Sequence, residues 1–210
     1  MLRRGLLTLP LALAACAGTP PETEPLPPLV TGYGHLTPIR LNVAVIEVVA
    51  PDPSAVRIFG SAPVNPEQEM ARMARERLVA AGTEGGARFI TRLAEYRRET
   101  MPRQGGLGGM FAGEPGERVL VRLQARLEVS APDGRSGFVD AEARRQRSVP
   151  DGASATDRRR AAEAAVRQAM DDLNIEFEFQ VRRTLRAWIV ETVTPPTGAD
   201  GVQVEQLPRS

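Results

Sequence analysis

An α/β fold of the α+β type is predicted: a two-layer sandwich in which two helices cover one face of a four-stranded mixed sheet, in the order β-α-β-β-β-α. Three observations predict it. Residues 117–129 alternate apolar and polar side chains strictly, and a Pro132-Asp133-Gly134 turn leads into a second alternating run, which together describe a β-hairpin with one dry and one wet face. From Thr156 onward apolar residues recur at three- and four-residue steps, the period of an amphipathic helix. A sheet with one wet face leaves only the other face for helices, so both helices belong on one side.

Taken in order, Ile39 to Val49 is nearly all apolar and rich in β-branched residues, as a strand buried on both faces would be. Pro66 to Ala81 reads as a helix with Asn65 as its N-cap, Pro66 in its first position and Gly82 as its stop. Met70, Met73, Ala74, Arg77 and Leu78 set its inner stripe, in which only Arg77 is out of place. Ala87 to Arg98 is the second strand. In Glu117 to Val129, the third, Val119, Val121, Leu123, Ala125, Leu127 and Val129 share the dry face. Phe138 to Val149 returns with Val139, Ala141 and Ala143 inward and Asp140, Glu142 and Arg144 outward. The last helix, of about 35 residues, is capped by Thr156 or Asp157 and carries Val166, Ala169, Met170, Leu173, Phe177, Val181, Leu185 and Trp188 on one stripe. Ile175, Phe177, Phe179 and Val181 also alternate strictly, so a short strand there stands as the alternative to the helix.

The two ends are of different composition. Residues 17–28 hold Pro20, Pro21, Pro25, Pro27 and Pro28 among Thr and Glu, which favours extended polyproline II and reaches roughly 30 to 40 Å. Pro195, Pro196, Gly198 and Gly201 mark a second irregular stretch. The expected organisation is a signal at 1–15, a tether at 16–35, the α/β domain at 36–193 and a flexible tail at 194–210. All 27 basic residues are arginine, against 26 acids, and they are spread through every element. Such an interspersed, near-neutral surface argues against nucleic acid as a partner, which needs a one-sided basic field.

Met1 to Ala15 has the parts of a secretory signal: Arg3 and Arg4, an apolar stretch from Leu6, then small residues. That stretch is too short to span a bilayer, which takes about 20 residues. Leu13-Ala14-Ala15-Cys16 resembles the lipobox of bacterial lipoproteins, and Cys16 is the only cysteine in the chain. The resemblance implies that the Cys16 thiol takes a diacylglyceryl group, palmitate-type chains included, before the signal is removed. Each acyl methylene contributes about 0.8 kcal/mol to membrane binding, so two or three chains anchor stably. Ala17 stands where such lipoproteins carry Asp when retained at the inner membrane, which implies the outer membrane, facing the periplasm.

Few residues offer chemistry. Nucleophile-and-base catalysis usually needs a histidine, and the chain has only His35, in a Gly- and Thr-rich stretch. With one cysteine and one histidine, the usual zinc sites are excluded, and no acidic calcium loop occurs, so neither metal nor cofactor is expected. The carboxylate pairs Asp140 with Glu142 and Asp171 with Asp172 read as surface groups facing arginines or solvent rather than as a hydrolytic pair. Gly105 to Gly113 is glycine-rich but lacks the Gly-Lys-Ser/Thr ending of a phosphate loop. It does place Leu107, Met110 and Phe111 on a connection between two strands, which makes them candidates for partner contact. Arg144, Arg145, Arg147, Arg158, Arg159 and Arg160 form the one local basic concentration, read as a solvated strand end and helix start.

Lipobox, proline tether and this order of elements resemble the small lipoproteins of outer-membrane biogenesis. The lipopolysaccharide-assembly lipoprotein is similar, with two helices on one face of a four-stranded sheet, and so are the auxiliary lipoproteins of ABC-type lipid transporters. The resemblance implies a non-enzymatic accessory or assembly factor, anchored through Cys16, whose partner is an outer-membrane β-barrel or a transporter subunit. The alternative is a lipoprotein that binds a small molecule or lipid, for which an apolar cavity between sheet and helices is expected.

Overall fold

The computed structural model describes residues 32–101 and 115–191. The elements are β1 (Ile39–Leu41), β2 (Val45–Val49), β3 (Val56–Phe59), α1 (Pro66–Arg77), β4 (Leu78–Ala80), β5 (Gly86–Thr100), β6 (Pro115–Ser130), β7 (Ser136–Pro150) and α2 (Ala155–Thr184). The fold is mixed α/β with two helices, but the expected four-stranded sheet is a five-stranded sheet plus a two-stranded one. In the larger sheet the order is β2-β5-β6-β7, and β3 also pairs with β5. Both β2 and β3 run parallel to β5, beside Gly86 to Ile90 and beside Ala94 to Arg97 respectively, so one long strand is bordered by two short ones in succession. β5-β6 and β6-β7 are antiparallel, with a bulge in β5 between Thr91 and Leu93.

The hairpin follows the alternation closely. Val119, Val121, Leu123, Ala125, Leu127 and Val129 are buried, as are Val139, Ala141 and Ala143 opposite them. The turn uses Gly134 at φ 87°, where a side chain would be strained. On the dry face Phe89 of β5 meets Phe177 of α2 edge-to-face at 5.7 Å, and both rings are fully buried. The layer between sheet and helices is thus filled by side chains, with Met70 and Met73 of α1 and Val166, Met170 and Leu173 of α2 among them.

Four boundaries differ from expectation, each for a physical reason. The apolar run 39–49 is two strands in two sheets: Asn42, Val43 and Ala44 break it, with Val43 buried and the Asn42 N–H donating to the Trp188 carbonyl (2.7 Å). An apolar run does not specify which sheet it joins, and β2 lies at the sheet margin with Val45 exposed. α1 ends at Arg77, because Leu78 to Ala80 turn extended to pair with β1 in parallel. Gly82 is not a helix stop: a Cβ there would lie 2.7 Å from the Val43 backbone nitrogen, so glycine permits close passage of two chain segments. The cap of α2 is Ser154, whose Oγ accepts from the Asp157 N–H (3.1 Å), rather than Thr156 or Asp157. Residues 175–181 are helix, with Phe177 and Val181 inward and Ile175 and Phe179 outward. β3 follows a turn in which the Asp52 carboxylate accepts from the Ser54 N–H (2.8 Å). Tyr33, within the segment expected as tether, packs into the core.

Candidate functional site

Groups able to bind or react collect on three surfaces: the open face of the sheet, the concavities at its two ends and the outer face of α2. Cys16, Leu107, Met110 and Phe111 lie outside the described residues. No helix among the described residues is long and apolar enough to cross a membrane.

On the open face, alternation brings Arg126 opposite Asp140, and the two pair through parallel bonds of 2.8 and 2.7 Å. The same guanidinium stacks 4.3 Å from the Phe138 ring centroid. Gln124 donates to Glu142 (2.9 Å), Arg122 reaches Glu95 (3.5 Å), and Arg88 lies between Glu47 (3.4 Å) and Glu128 (3.6 Å) across three strands. The Arg126 hydrogen bond holds the Asp140 carboxyl below its ordinary value of 3.8, opposite to the shift a general acid needs. Much of this face is a ladder of cross-strand pairs, although Arg144 stands opposite Arg122 with no ion-pair partner among the described residues.

The second carboxylate pair diverges. Asp172 turns to Arg145 of β7 (2.6 Å), whereas the Asp171 carboxyl is raised by lost hydration and then by Asp172, with Arg167 opposing. Asp171 acts instead on Tyr33, whose phenol is pushed up first by burial and then by Asp171, Glu69 and Glu76, against Arg72. The basic concentration is matched only in part, since Arg144 and Arg147 have no ion-pair partner among the described residues. Besides Arg145, Arg158 donates to the Asp151 carbonyl (2.9 Å), Arg159 pairs with Glu163 (2.8 Å) and Arg160 with Asp157 (4.0 Å).

A concavity of about 910 Å³ opens at the hairpin end, bordered by Arg88, Glu128, Phe138, Leu185 and Trp188. Its floor depends on Gly137, where a Cβ would come within 2.9 Å of the Leu185 Cδ2, so the C-terminal turn of α2 seats directly on the strand. A shallower one of about 630 Å³ lies at the opposite end near Phe59, Arg98, Glu117 and Arg158, where Arg98 and Glu117 already bind each other (2.8 Å).

Arg77 is the polar centre of the interior. Its side chain is 1% exposed; Nε donates to the Asn174 Oδ1 (3.0 Å), and the two terminal nitrogens donate to the Thr37 carbonyl and the Glu178 carboxylate. The misfit of Arg77 in an apolar stripe was the visible signal of this network. Its partner Asn174 lies 97 residues away and gave none.

The outer face of α2 carries Ile175 (69% exposed) and Phe179 (51% exposed), one turn apart, with the Arg183 guanidinium 5.9 Å from the Phe179 ring. Ile175 is the most exposed large apolar side chain among the described residues, and Val45, Phe59 and Phe138 of the strands are also more than half exposed.

No family model matches the chain, and no curated protein matches it. Among solved structures, it is similar to a DUF330 protein from Xanthomonas campestris, at 10% identity and a TM-score of 0.37 over 75% of this chain and 91% of the other. It is similar also to a minor lipoprotein from Acinetobacter baumannii, at 14% identity and a TM-score of 0.32 over 72% of this chain and 99% of the other.

Proposed function

We propose that the protein is a lipoprotein anchored through acylated Cys16 in the outer membrane, facing the periplasm, and that it serves there as a non-enzymatic accessory or assembly factor. Its partner is an outer-membrane β-barrel or a lipid-transporter subunit, engaged in part through Leu107, Met110 and Phe111. The observation that carries this reading is the sequence Leu13-Ala14-Ala15-Cys16 at the end of a short apolar signal. Supporting it, carboxylates of the sheet face are bound by neighbouring arginines, Glu95 by Arg122 and Asp140 by Arg126, which holds Asp140 ionised. The reading of a small-molecule or lipid carrier expects a cavity between sheet and helices. That space is occupied by Phe89, Phe177 and their neighbours, which favours the accessory role.

The test is metabolic labelling with an alkyne fatty acid, followed by separation of inner and outer membranes. Label on the natural chain in the outer-membrane fraction, and none on Cys16→Ser, is the expected result. A photoreactive residue in place of Met110 or Phe111 then identifies the partner in the native envelope. Label retained by the serine variant would overturn the anchor, and adducts only to lipid would overturn the accessory role in favour of lipid binding.

A further inference from the structure

We infer that the outer face of α2 is a self-association surface, on which a second copy of this chain docks in antiparallel fashion about a two-fold axis passing beside Phe177. The helix exposes Ile175 and Phe179 two positions either side of Phe177, and places Asp171 and Asp172 on one side of them and Arg182 and Arg183 on the other. The pattern is therefore palindromic in position and opposite in charge.

Helix geometry makes the match specific. At about 100° per residue, Ile175 and Phe179 project directly away from the buried Phe177, Asp171 and Arg182 fall on one flank of that apolar pair, and Asp172 and Arg183 fall on the other. A two-fold axis perpendicular to both helices sets each flank against the same flank of the copy, with the chain direction reversed. Ile175 then meets Phe179 of the second copy, Asp171 meets its Arg182, and Asp172 meets its Arg183. An interface of this kind is isologous: if position i meets j, then j meets i, so each contact occurs twice.

The charges also favour a second copy over a lipid surface. An anionic membrane would attract Arg182 and Arg183 but repel Asp171, Asp172 and Glu176 of the same face. Glu178 is already held by Arg77 and Arg182, so it adds no unmatched charge. Arg182 and Asp172, each bonded within their own chain to Glu178 and Arg145, become shared rather than newly ordered groups. Arg183 stacks on Phe179 without a carboxylate partner among the described residues, and gains one from the copy.

The experiment co-produces two differently tagged full-length chains in their native membrane, one Ile175→Cys and one Phe179→Cys, and scores disulfides after mild oxidation. Chains with only the natural Cys16 set the background, so the result holds whether or not that thiol is acylated. Mixed 175–179 disulfides should exceed 175–175 and 179–179 by about fivefold, because only the mixed pair is level while like positions are offset by about 6 Å along the helix direction. Asp171→Arg with Asp172→Arg should lower the mixed yield severalfold, and adding Arg182→Asp with Arg183→Asp in the same chains should restore it. Like-with-like disulfides in excess, adducts to other proteins only, no disulfide above background, or no rescue by the second charge reversal would each overturn the proposal.

Discussion

Replacing Arg77 with alanine probes the internal polar network most directly, because this guanidinium joins α1, α2 and the segment before β1 while only 1% of its side chain reaches solvent. The substitution strips Asn174 Oδ1 of its donor inside a residue that is itself buried, and releases the Thr37 carbonyl and the Glu178 carboxylate. Removing one partner of a buried ion pair typically costs about 3–5 kcal/mol. Here the lower end applies, since Glu178 is 33% exposed and keeps Arg182 at 2.8 Å, so it rehydrates and is still screened. We expect about 3 kcal/mol, which for a chain of this size lowers the melting temperature by roughly 6–12 °C. Urea unfolding followed by circular dichroism measures it. The double variant Arg77→Met with Asn174→Leu removes the buried donor and acceptor together and should recover most of the loss, because Thr37 and Glu178 can both reach water. A single-variant cost below about 1 kcal/mol, or a double variant no more stable than the single, would refute the network as described.

Three further outcomes follow from the geometry. Gly85→Ala should be destabilising by about 2–3 kcal/mol, since φ is +75° and a Cβ would lie 2.4 Å from the Ser130 carbonyl oxygen, whereas Gly134→Ala, at a similar φ of +87° with open space around it, should lose only about 1 kcal/mol; thermal melts of the pair separate the clash from the backbone strain. Asp140→Asn should leave the protein slightly less stable at neutral pH. Because the folded carboxyl is held below 3.8, its contribution is present above that pH and fades as pH falls through the lower folded value, so the gap between variant and natural chain should close in acid unfolding scans. Phe177→Ala should cost about 3–5 kcal/mol and Phe179→Ala less than about 0.5, a contrast in urea midpoints that fails if 175–181 is a strand or the helix is rotated.

How much of this was legible in the sequence depends on whether the determining contacts are local. β6 and β7 were readable because their period of two and their Pro-Asp-Gly turn are written in consecutive residues, and the structure pairs Leu127 with Val139 and Arg126 with Asp140 accordingly. The span 39–49 carries no local sign of its division because Val43 is buried whether the run is one strand or two. What splits it is the Trp188 carbonyl bonding to Asn42, nearly 150 residues on. β3 and β4 are four and three residues long and exist only because β5 and β1 offer them an edge. Of the candidate site, Cys16 rests on a motif that the chain writes out in full. Leu107, Met110 and Phe111 are candidates by composition, which indicates apolarity but no placement.

The ambiguity at 175–181 had a physical origin that bears on function. A helix packed on one sheet needs a single apolar stripe, and Phe177 with Val181 supplies it. Strict alternation arose because Ile175 and Phe179 add apolar groups on the opposite side, where a polar residue would serve solubility better. The feature that obscured the secondary structure is thus one that the monomer's fold does not use. Local propensity conflicts with a polar exterior where a surface answers to something outside the chain, and the opposed charges at 171–172 and 182–183 make a second α2 the surface that best satisfies it. If Phe179→Ala leaves the urea midpoint unchanged yet abolishes the mixed disulfide when the thiols are moved to Asp172→Cys and Arg183→Cys, the apolar pair serves association rather than folding. If it lowers the midpoint by as much as Phe177→Ala, the exposed face belongs to the core after all and the self-association surface does not exist.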